Sequence, residues 1–431
     1  MSLKQRLQAR QETSGPIRVG LVGAGQMGAG FISQTEKMVG MRVVAVADVV
    51  PGRAAAAYAE SDVPAADVVS AEGYLAGASE LIQEGKRVAL TDAACLTQID
   101  ALEVILECTG VPEVGARVCL EAIEAGKNIV NMNVETDATV GYWLAKRARE
   151  KGVTYTLVAG DEPGSLKELY DFADALGFNI VYVGKGKNNP LDRTANPDTC
   201  AARAREQMMN PKMLASFVDG TKTMVEMTAI GNALGFAPEV TGAYGPHCNV
   251  ADLPKVFAPK SVGGIFSGTC AVDYAVGNVA PGVFITITTD QPKIIRDLNY
   301  LHLSGQNGYW TLYRPYHLAN LEAPISVAHV ALDGEATLAC ERTPVAETVA
   351  YAKRDLNPGD KIDSLGGYTV YGMIERAEVA RAEDIAPLGL VVGATVQRPV
   401  KMGQPVRYAD VALDESQVIV RLRREQDALL A

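Results

Sequence analysis

Two closely spaced lysines stand out as residues able to do acid–base chemistry. Lys185 and Lys187 alternate with glycine in Gly184-Lys-Gly-Lys-Asn188, directly after a short apolar segment that predicts a buried strand over 180–183. Ammonium groups in such a position either bind an anionic substrate or protonate an alkoxide as it develops. We therefore predict that both lysines are catalytic and that Asn188 binds substrate. A solvated surface loop is the alternative.

A pair of adjacent acids lies at the end of an earlier predicted strand. Asp161 and Glu162 stand between glycines, followed by a segment that predicts a helix. Such acids either cap the helix or hold a divalent metal, Mg²⁺ or Mn²⁺, through hard carboxylate oxygens. Both interpretations stay open at this point.

Three further polar residues have the spacing that places them on one face of an α-helix. Asp219 is suited to the N-cap position, and Lys222 and Glu226 then share its face of the helix. An otherwise apolar helix with three charged groups on one stripe favours a functional site, so we predict that Asp219 and Lys222 are catalytic. A simple ion pair within the helix explains Lys222 and Glu226 equally well.

An aromatic segment over 307–318 carries two further candidates, Arg314 and His317. The planar guanidinium of arginine binds two phosphate oxygens at once, so we predict that both residues bind a phosphorylated or polyhydroxylated substrate. The alternative is an aromatic corner of the core in which Arg314 forms a structural ion pair.

A glycine-rich turn near the N-terminus indicates where a cofactor would bind. Ile17–Val22 predicts a buried parallel strand, and a helix and a second strand follow the turn. In this context the first glycine permits the tight turn, the second admits a pyrophosphate, and the third allows close helix packing. The predicted cofactor-binding residues of the turn are Gly23, Gly25, Gln26, Met27 and Gly28.

Asp48, at the end of the second strand, is placed to accept hydrogen bonds from the adenosine ribose. A carboxylate repels the 2′-phosphate of NADP, which favours NAD. Arg53 lies five residues further on and is able to bind that phosphate instead. The cofactor is therefore NAD or NADP, with NAD favoured.

Polar residues follow the next two predicted strands. Because residues at the carboxyl ends of parallel strands line the cofactor crevice, we predict that they face the nicotinamide. For the first two a plain chain turn is the alternative. These candidates are Thr109, Gly110, Asn131 and Asn133.

Composition excludes several other classes of protein. The 431 residues are 48% hydrophobic and 21% charged, as in folded proteins of two or three domains. A net charge of −11 argues against binding to nucleic acid or to an anionic membrane, both of which need clustered Lys and Arg, but it leaves room for a small anionic substrate. No apolar run reaches the roughly 20 residues of a membrane span. We predict a cytoplasmic protein.

The predicted fold class is α/β with three domains. An N-terminal Rossmann dinucleotide-binding domain covers 1–160, and an α+β catalytic domain covers 161–342. Short β-type segments rich in Gly and Pro predict a small all-β domain over 343–431. A homodimer formed through the middle domain is expected from the fold alone.

Several motifs resemble those of known families. The glycine turn, together with Glu107–Gly110 and Gly126–Asn133, resembles the homoserine-dehydrogenase-like superfamily. Lys353–Gly359, Leu388–Leu390 and Val400–Gly403 resemble a SAF domain, which has a β-clip fold.

The combination of these motifs with Val218–Thr223 and Leu312–Leu318 is similar to the 1-deoxy-D-xylulose-5-phosphate reductoisomerase-like group, over nearly the whole chain. This resemblance implies isomerisation of a phosphorylated ketose, then hydride delivery from a nicotinamide, at an early step of isoprenoid synthesis. It also implies a divalent metal that polarises substrate oxygens. The implied metal ligands are Asp161, Glu162 and Glu226. The residues that the resemblance implies for stabilising oxyanions are Lys185, Lys187 and Lys222. Those that it implies for binding the phosphate are Arg314 and His317.

Two features depart from these families. Val134-Glu135 stands where homoserine dehydrogenases have a lysine, which argues against aspartate-semialdehyde reduction, and Asp48 fits poorly with a requirement for NADPH. Two other functions therefore stay open. One is an NAD-linked dehydrogenase of a catabolic sugar acid or polyol, and the other is a non-catalytic nucleotide-sensing protein with a SAF domain.

Overall fold

The computed structural model describes residues 1–73, 76–188 and 191–430. Contacts within the chain group these residues into two units. Unit 1 comprises Met1–Gly164 and Leu318–Glu341, and unit 2 comprises Ser165–His317 and Arg342–Ala431. The chain thus returns to unit 1 after position 317, a connection that local sequence patterns do not reveal. The predicted domain limits at 160 and 342 remain predictions.

Unit 1 contains a parallel sheet of seven strands in the order β3-β4-β2-β1-β5-β6-β7. The strands are β1 Ile17–Val22, β2 Met41–Ala47, β3 Val68–Ala71, β4 Arg87–Leu90, β5 Val104–Glu107, β6 Asn128–Asn131 and β7 Tyr155–Leu157. The helices are α1 Leu3–Ser14, α2 Gln26–Thr35, α3 Arg53–Glu60, α4 Ala78–Gln83, α5 Ala94–Thr97, α6 Pro112–Glu124, α7 Val134–Lys151 and α14 Ala319–Asp333, with α8 Glu162–Ala175 leading into unit 2.

The core of unit 1 explains why these segments form strands. Val19, Leu21 and Val104 are 0% exposed, as expected for central parallel strands with both faces covered. Ala323 and Val327 of α14 belong to the same core cluster. The predicted Rossmann fold is confirmed.

Unit 2 contains a mixed sheet of five strands in the order β11-β12-β10-β8-β9, in which only β8 and β9 pair in parallel. The strands of the unit are β8 Asn179–Lys187, β9 Ala271–Val276, β10 Val283–Thr288, β11 Gly305–Gln306, β12 Tyr309–Arg314, β13 Ala346–Ala352, β14 Val370–Arg376, β15 Thr395–Val396 and β16 Val411–Ala412. The helices are α9 Pro197–Glu206, α10 Pro211–Val218, α11 Thr221–Leu234, α12 Leu253–Val256, α13 Pro292–Tyr300, α15 Ala377–Ala382, α16 Leu388–Val391 and α17 Val418–Leu430.

Helix α11 is the central element of unit 2. It contacts β8 and β9 of the mixed sheet as well as β13 and β14 of the C-terminal region, so nearly every one of its side chains is buried. A helix covered all round is expected to be apolar all round. The buried Glu226 therefore departs from what packing alone requires.

The C-terminal region is built on antiparallel pairs, β13 with β14 and β15 with β16. The all-β prediction for 343–431 was incomplete, because the region also contains α15, α16 and α17. Helix α17 buries Ile419, Val420 and Leu422, and its Arg423 forms a 2.6 Å ion pair with Glu347 of β13. Across the described ranges, none of the helices has both the length and the apolar character required to cross a membrane.

Candidate functional site

The glycine turn of unit 1 joins β1 to α2, and each of its glycines has a different reason to be there. Gly23 adopts a left-handed φ of +94°, which favours glycine. A Cβ at Gly28 would lie 2.0 Å from the carbonyl oxygen of Gly23, whereas a Cβ at Gly25 would meet no atom within 4 Å. Gly28 thus serves helix packing, and Gly25 leaves space beside the backbone.

The N-terminus of α2 fits the pyrophosphate of a dinucleotide. Gly25 is the N-cap residue, and no side chain in the described part of the protein caps the helix there. Gln26 and Met27 are the first residues of α2, so their N–H groups lie at the positive end of the helix dipole. These groups and the space beside Gly25 are the features that anion binding at a helix N-terminus requires, and pyrophosphate binding there stays a prediction.

Asp48 ties the glycine turn to the end of β2. Its carboxylate accepts hydrogen bonds from the backbone N–H of Ala24 at 2.8 Å and of Val50 at 2.9 Å. Arg53 lies 3.7 Å from the same carboxylate and is half exposed. The two predicted ribose-end candidates therefore lie together, with the carboxylate held by two backbone N–H groups and the guanidinium half exposed beside it.

A cavity of about 190 Å³ lies along the carboxyl ends of the neighbouring strands of unit 1. In open α/β sheets, ligands bind outside these strand ends. The cavity is consistent with a place for the adenosine half of a dinucleotide. Residues lining it include Pro51, Gly52, Ser70, Glu72, Leu90 and Thr91.

Thr109 follows β5 and is bound to a buried acid that sequence reasoning missed. The Thr109 hydroxyl and backbone N–H both donate to Glu107, the N–H at 2.8 Å. Burial raises the pKa of Glu107 from 4.5 to about 7, and the bonds from Thr109 act in the opposite direction. Gly110 has a left-handed φ of +67°. The plain-turn alternative therefore accounts for both Thr109 and Gly110, and their role at the nicotinamide stays a prediction.

Asn131 and Asn133 have structural roles, and their assignment to the nicotinamide stays a prediction. Both side chains are 0% exposed. Asn131 donates to the Tyr155 hydroxyl at 3.0 Å, and Asn133 caps α7 by accepting from the Thr136 N–H at 3.2 Å. Their amides are thus used to fix strand β6 and the start of α7.

In unit 2, Lys185 and Lys187 lie within β8 itself, so the strand extends beyond the predicted 180–183 and the alternative of a surface loop is wrong. Residues two apart in a strand point to the same face, so the two lysines share one face, and Gly184 and Gly186 share the other. A Cβ at Gly184 would lie 2.4 Å from the Asp273 carbonyl oxygen, and a Cβ at Gly186 would lie 2.1 Å from the Ala280 nitrogen. Glycine is therefore required by close packing on the second face.

Lys187 is a buried lysine, 4% exposed, whose ammonium group donates to the Phe217 carbonyl oxygen at 2.6 Å. Burial lowers the pKa of Lys187 from 10.5 to about 8, and the ammonium of Lys185 adds to this effect. The nearby carboxylates of Asp219 and Glu226 act in the opposite direction. Lys187 therefore exchanges its proton close to neutral pH.

Glu226 pairs with two of the predicted catalytic lysines. Lys185 forms a buried, hydrogen-bonded ion pair with it, and Lys222 lies 3.8 Å from its other oxygen. The structure thus gives this carboxylate two ammonium partners, and its assignment as a metal ligand stays a prediction. The helical ion pair foreseen as an alternative for Lys222 is present.

Asp219 is 0% exposed, and its position differs from the one predicted. Gly220 is the N-cap of α11, while Asp219 precedes it and accepts from the Thr221 N–H at 2.7 Å. Its second oxygen lies 2.7 Å from the ammonium of Lys353. Sequence reasoning missed Lys353, because no local pattern links it to a residue so distant along the chain.

Arg314 and Lys185 occupy the same register position on two strands of the mixed sheet. Both pair with Val283 of β10, Arg314 from β12 and Lys185 from β8. Arg314 forms a 3.1 Å ion pair with Glu168 and stacks 4.5 Å from the Tyr316 ring centroid. The predicted structural ion pair is present, and the register still places Arg314 on the lysine-bearing face.

The other predicted site residues have simpler surroundings. His317 Nδ1 lies 2.7 Å from the Pro281 carbonyl oxygen, and Asn188 is exposed directly after β8. Asp161 and Glu162 are buried, and Glu162 is the first residue of α8. The position of Glu162 fits the helix-start alternative, and a metal at this pair stays a prediction.

Two regions of the chain match known protein families. Residues 160–323 match the family described as "Oxidoreductase DRL, catalytic domain", and residues 347–412 match the SAF domain. The predicted SAF domain is confirmed. The comparisons do not confirm the grouping with the homoserine-dehydrogenase-like superfamily or with the reductoisomerase-like group.

Solved structures similar to this chain share low sequence identity with it. A probable dehydrogenase from Thermotoga maritima is 12% identical, with 74% of this chain and 90% of that chain covered and a TM-score of 0.43. A myo-inositol 2-dehydrogenase from Lactobacillus plantarum is 15% identical, with 74% and 91% covered and a TM-score of 0.39. A scyllo-inositol dehydrogenase from Lactobacillus casei, solved with NAD(H) and scyllo-inositol, is 14% identical, with 69% and 76% covered and a TM-score of 0.37.

These structural likenesses are too low to carry an argument about substrate. No curated protein sequence matches the chain. The oxidoreductase domain over 160–323 follows a seven-stranded parallel sheet that carries a dinucleotide-type glycine turn. The chain is therefore an NAD(P)-dependent oxidoreductase.

Proposed function

We propose that this oxidoreductase interconverts a hydroxyl and a carbonyl group on a small sugar acid or polyol, with Lys187 as its acid–base residue. The observation that carries the proposal is the buried ammonium of Lys187, whose pKa is lowered to about 8. A general acid or base works best when its pKa lies near the operating pH. Lysines gain this property through burial and neighbouring cations, which is the environment of Lys187.

The proton step follows from the surroundings of Lys187. In the direction of oxidation, the neutral amine takes the hydroxyl proton as the C–H bond breaks and the carbonyl forms. The glycine turn with Gly23, Gly25 and Gly28 would hold the nicotinamide dinucleotide, which would supply the hydride-transfer chemistry in both directions. Phe217 accepts a hydrogen bond from Nζ at 2.6 Å, which leaves the lone pair of the amine for the substrate proton. The reverse reaction returns the proton from the ammonium to the alkoxide oxygen.

Lys185 has a different proposed role. Its ammonium forms an ion pair with Glu226, which places a positive charge beside Lys187. That charge lowers the proton affinity of Lys187 and stabilises an oxyanion that develops on the substrate. Lys185 is thus proposed as an electrostatic partner and Lys187 as the residue that gains and loses the proton.

Within the proposed substrate class, Arg314 favours a sugar acid. It lies on the same sheet face as Lys185, and its partner Glu168 is 70% exposed. A substrate carboxylate is able to replace an exposed partner of this kind, because arginine binds carboxylates through two parallel hydrogen bonds. A polyol without a carboxylate would leave the Arg314–Glu168 pair intact.

The test is an assay of the purified chain with NAD⁺ and NADP⁺ against sugar acids, polyols and phosphorylated ketoses, each with Mg²⁺, Mn²⁺ or EDTA. We expect oxidation of an unphosphorylated sugar acid or polyol that EDTA leaves unchanged. Turnover of 1-deoxy-D-xylulose 5-phosphate alone, abolished by EDTA, would overturn the proposal in favour of a metal-dependent reductoisomerase. Dinucleotide binding without turnover of any substrate class would also count against it.

A further inference from the structure

A buried lysine of the C-terminal region forms an ion pair near Lys187. Lys353 follows β13 and is 5% exposed. Its ammonium donates to the carbonyl oxygens of Ala195 at 2.6 Å and Gly367 at 2.8 Å, and it lies 2.7 Å from the Asp219 carboxylate. Two hydrogen bonds and one ion pair therefore hold the ammonium group of Lys353 in place.

The partner carboxylate belongs to the segment that holds Lys187. Asp219 is two residues from Phe217, whose carbonyl accepts the hydrogen bond from Lys187. Arg193 donates to the Asp219 carbonyl oxygen at 2.8 Å and lies 5.0 Å from the Tyr371 ring centroid. The segment over 217–219 is therefore fixed from β8 on one side and from the C-terminal region on the other.

We propose that Lys353 is a positioning residue of the active site, which fixes the Asp219 carboxylate next to Lys187 so that the C-terminal region completes the charge arrangement around the acid–base lysine. The inference rests on the proposed function of Lys187. It gives the region that matches the SAF domain a part in the reaction, through one ion pair across 134 positions of sequence.

Lys187 is surrounded by charges from three parts of unit 2. Lys185 lies on the same strand, Arg193 lies in the segment after it, and Asp219 and Glu226 lie before and within α11. Of these carboxylates, Asp219 belongs to the segment that Lys187 contacts, and Lys353 forms an ion pair with it. Changing the charge at either end of the Lys353–Asp219 pair is therefore expected to change the proton affinity of Lys187.

A purely structural ion pair predicts a different outcome. Buried ion pairs contribute little net stability, yet removing one partner is costly because a charge stays buried without compensation. A structural role would lower the melting temperature of each single variant and leave the titration of Lys187 unchanged. The two roles are separable by a measurement that reports on the proton of Lys187 directly.

The experiment follows the ¹³Cε chemical shift of Lys187 against pH in lysine-labelled full-length protein, with the signal assigned by its loss in Lys187→Met. We expect the midpoint to fall by about one pH unit in Asp219→Asn, because an attracting charge is removed. It should rise by a similar amount in Lys353→Met, because Asp219 then lacks its partner. The double variant removes both charges, so its midpoint should return close to that of the unchanged protein.

The control is Lys401→Met, which removes a lysine of the same C-terminal region that is 78% exposed and pairs with Asp355. It should leave the midpoint in place. If the single variants fail to fold, the charge-neutral double variant and the wild type still test the charge balance, since a midpoint displaced by a full unit in the double variant would overturn the proposal. Unchanged midpoints in both single variants would overturn it as well.

The titration needs no substrate, which separates this inference from the proposed function. Opposite midpoint shifts in the two single variants, with full turnover in Lys187→Met, would support the Lys353–Asp219 arrangement and remove Lys187 from the acid–base role. Loss of turnover in Lys187→Met with unchanged midpoints would do the reverse.

Discussion

Glu107 and Asp137, two buried carboxylates of unit 1, have different neighbours from the buried carboxylates beside the lysines of unit 2. In unit 1, Glu107 is bonded to the hydroxyl and N–H of Thr109, and Asp137 accepts from the Tyr155 hydroxyl at 3.0 Å. Burial raises the pKa of each to about 7. In unit 2, Glu226 and Asp219 lie against the ammonium groups of lysines.

This difference separates two uses of a buried ionisable group. Where burial dominates and the partners are neutral, the group favours its uncharged form and its titration is felt mainly as stability. Where opposite charges are paired, each charge sets the proton affinity of its neighbours, which is the condition that acid–base catalysis requires. The comparison therefore predicts that charge changes in unit 2 alter turnover, whereas those in unit 1 alter stability against pH.

The largest expected effect is that of Lys187→Met on turnover. A positioned acid–base group contributes a factor of about 10² to 10⁴ in rate, so we expect kcat to fall by that amount while dinucleotide affinity stays unchanged. In the wild-type enzyme, oxidation should rise with pH through about 8, because the amine is the active form, and reduction should fall through the same range. Initial rates between pH 6 and 10 in both directions measure this.

Lys401→Met serves as the matched control for Lys187→Met, since it removes an exposed lysine of the same unit. It should keep full activity and the same pH profile. Full activity in Lys187→Met would place the acid–base group elsewhere, and it would break the proposed link between charge pairing and catalysis in unit 2.

The second effect concerns stability in unit 1. The pKa of Asp137 is raised from 3.8 to about 7, so the folded state holds this proton more tightly than the unfolded chain does. The resulting stabilisation is complete below about pH 4 and is lost as pH rises through 7. Asp137→Asn keeps the shape without the charge, and it should be more stable than wild type at pH 8 by an amount on the order of a few kcal/mol.

Denaturant unfolding at pH 5 and pH 8 measures this effect, with Glu60→Gln as an exposed acid-to-amide control in the same unit. The gain of Asp137→Asn over wild type should be larger at pH 8 than at pH 5, and Glu60→Gln should show no such trend. An equal effect at both pH values would show that Asp137 carries its charge in the folded state.

The sequence predicted the first unit better than the second, and the reason is the range of the interactions involved. The glycine turn and Asp48 follow from backbone geometry within some thirty residues of chain. In contrast, the predicted strand over 180–183 stopped short of Gly184 and Gly186, because the contacts with Asp273 and Ala280 that require glycine in a strand come from distant segments. The same holds for Lys353, which meets Asp219 only in the folded chain.

The smallest expected effect concerns dinucleotide binding at Asp48. This carboxylate is an exception in the comparison of the two units, because it belongs to unit 1 and has a cation nearby. Arg53 lies 3.7 Å away, which resembles the pairing of unit 2 more than that of Asp137. In Asp48→Asn we expect the Kd for NADH to rise about tenfold and the Kd for NADPH to fall, since the charge that repels a 2′-phosphate is gone. Fluorescence titration with both dinucleotides measures this.

Adding Arg53→Gln to Asp48→Asn should remove the gain in NADPH affinity, because the guanidinium is then absent. If the wild-type chain already binds NADPH more tightly than NADH, Asp48 does not select the ribose, and its bonds to Ala24 and Val50 make it a structural carboxylate like the others of unit 1.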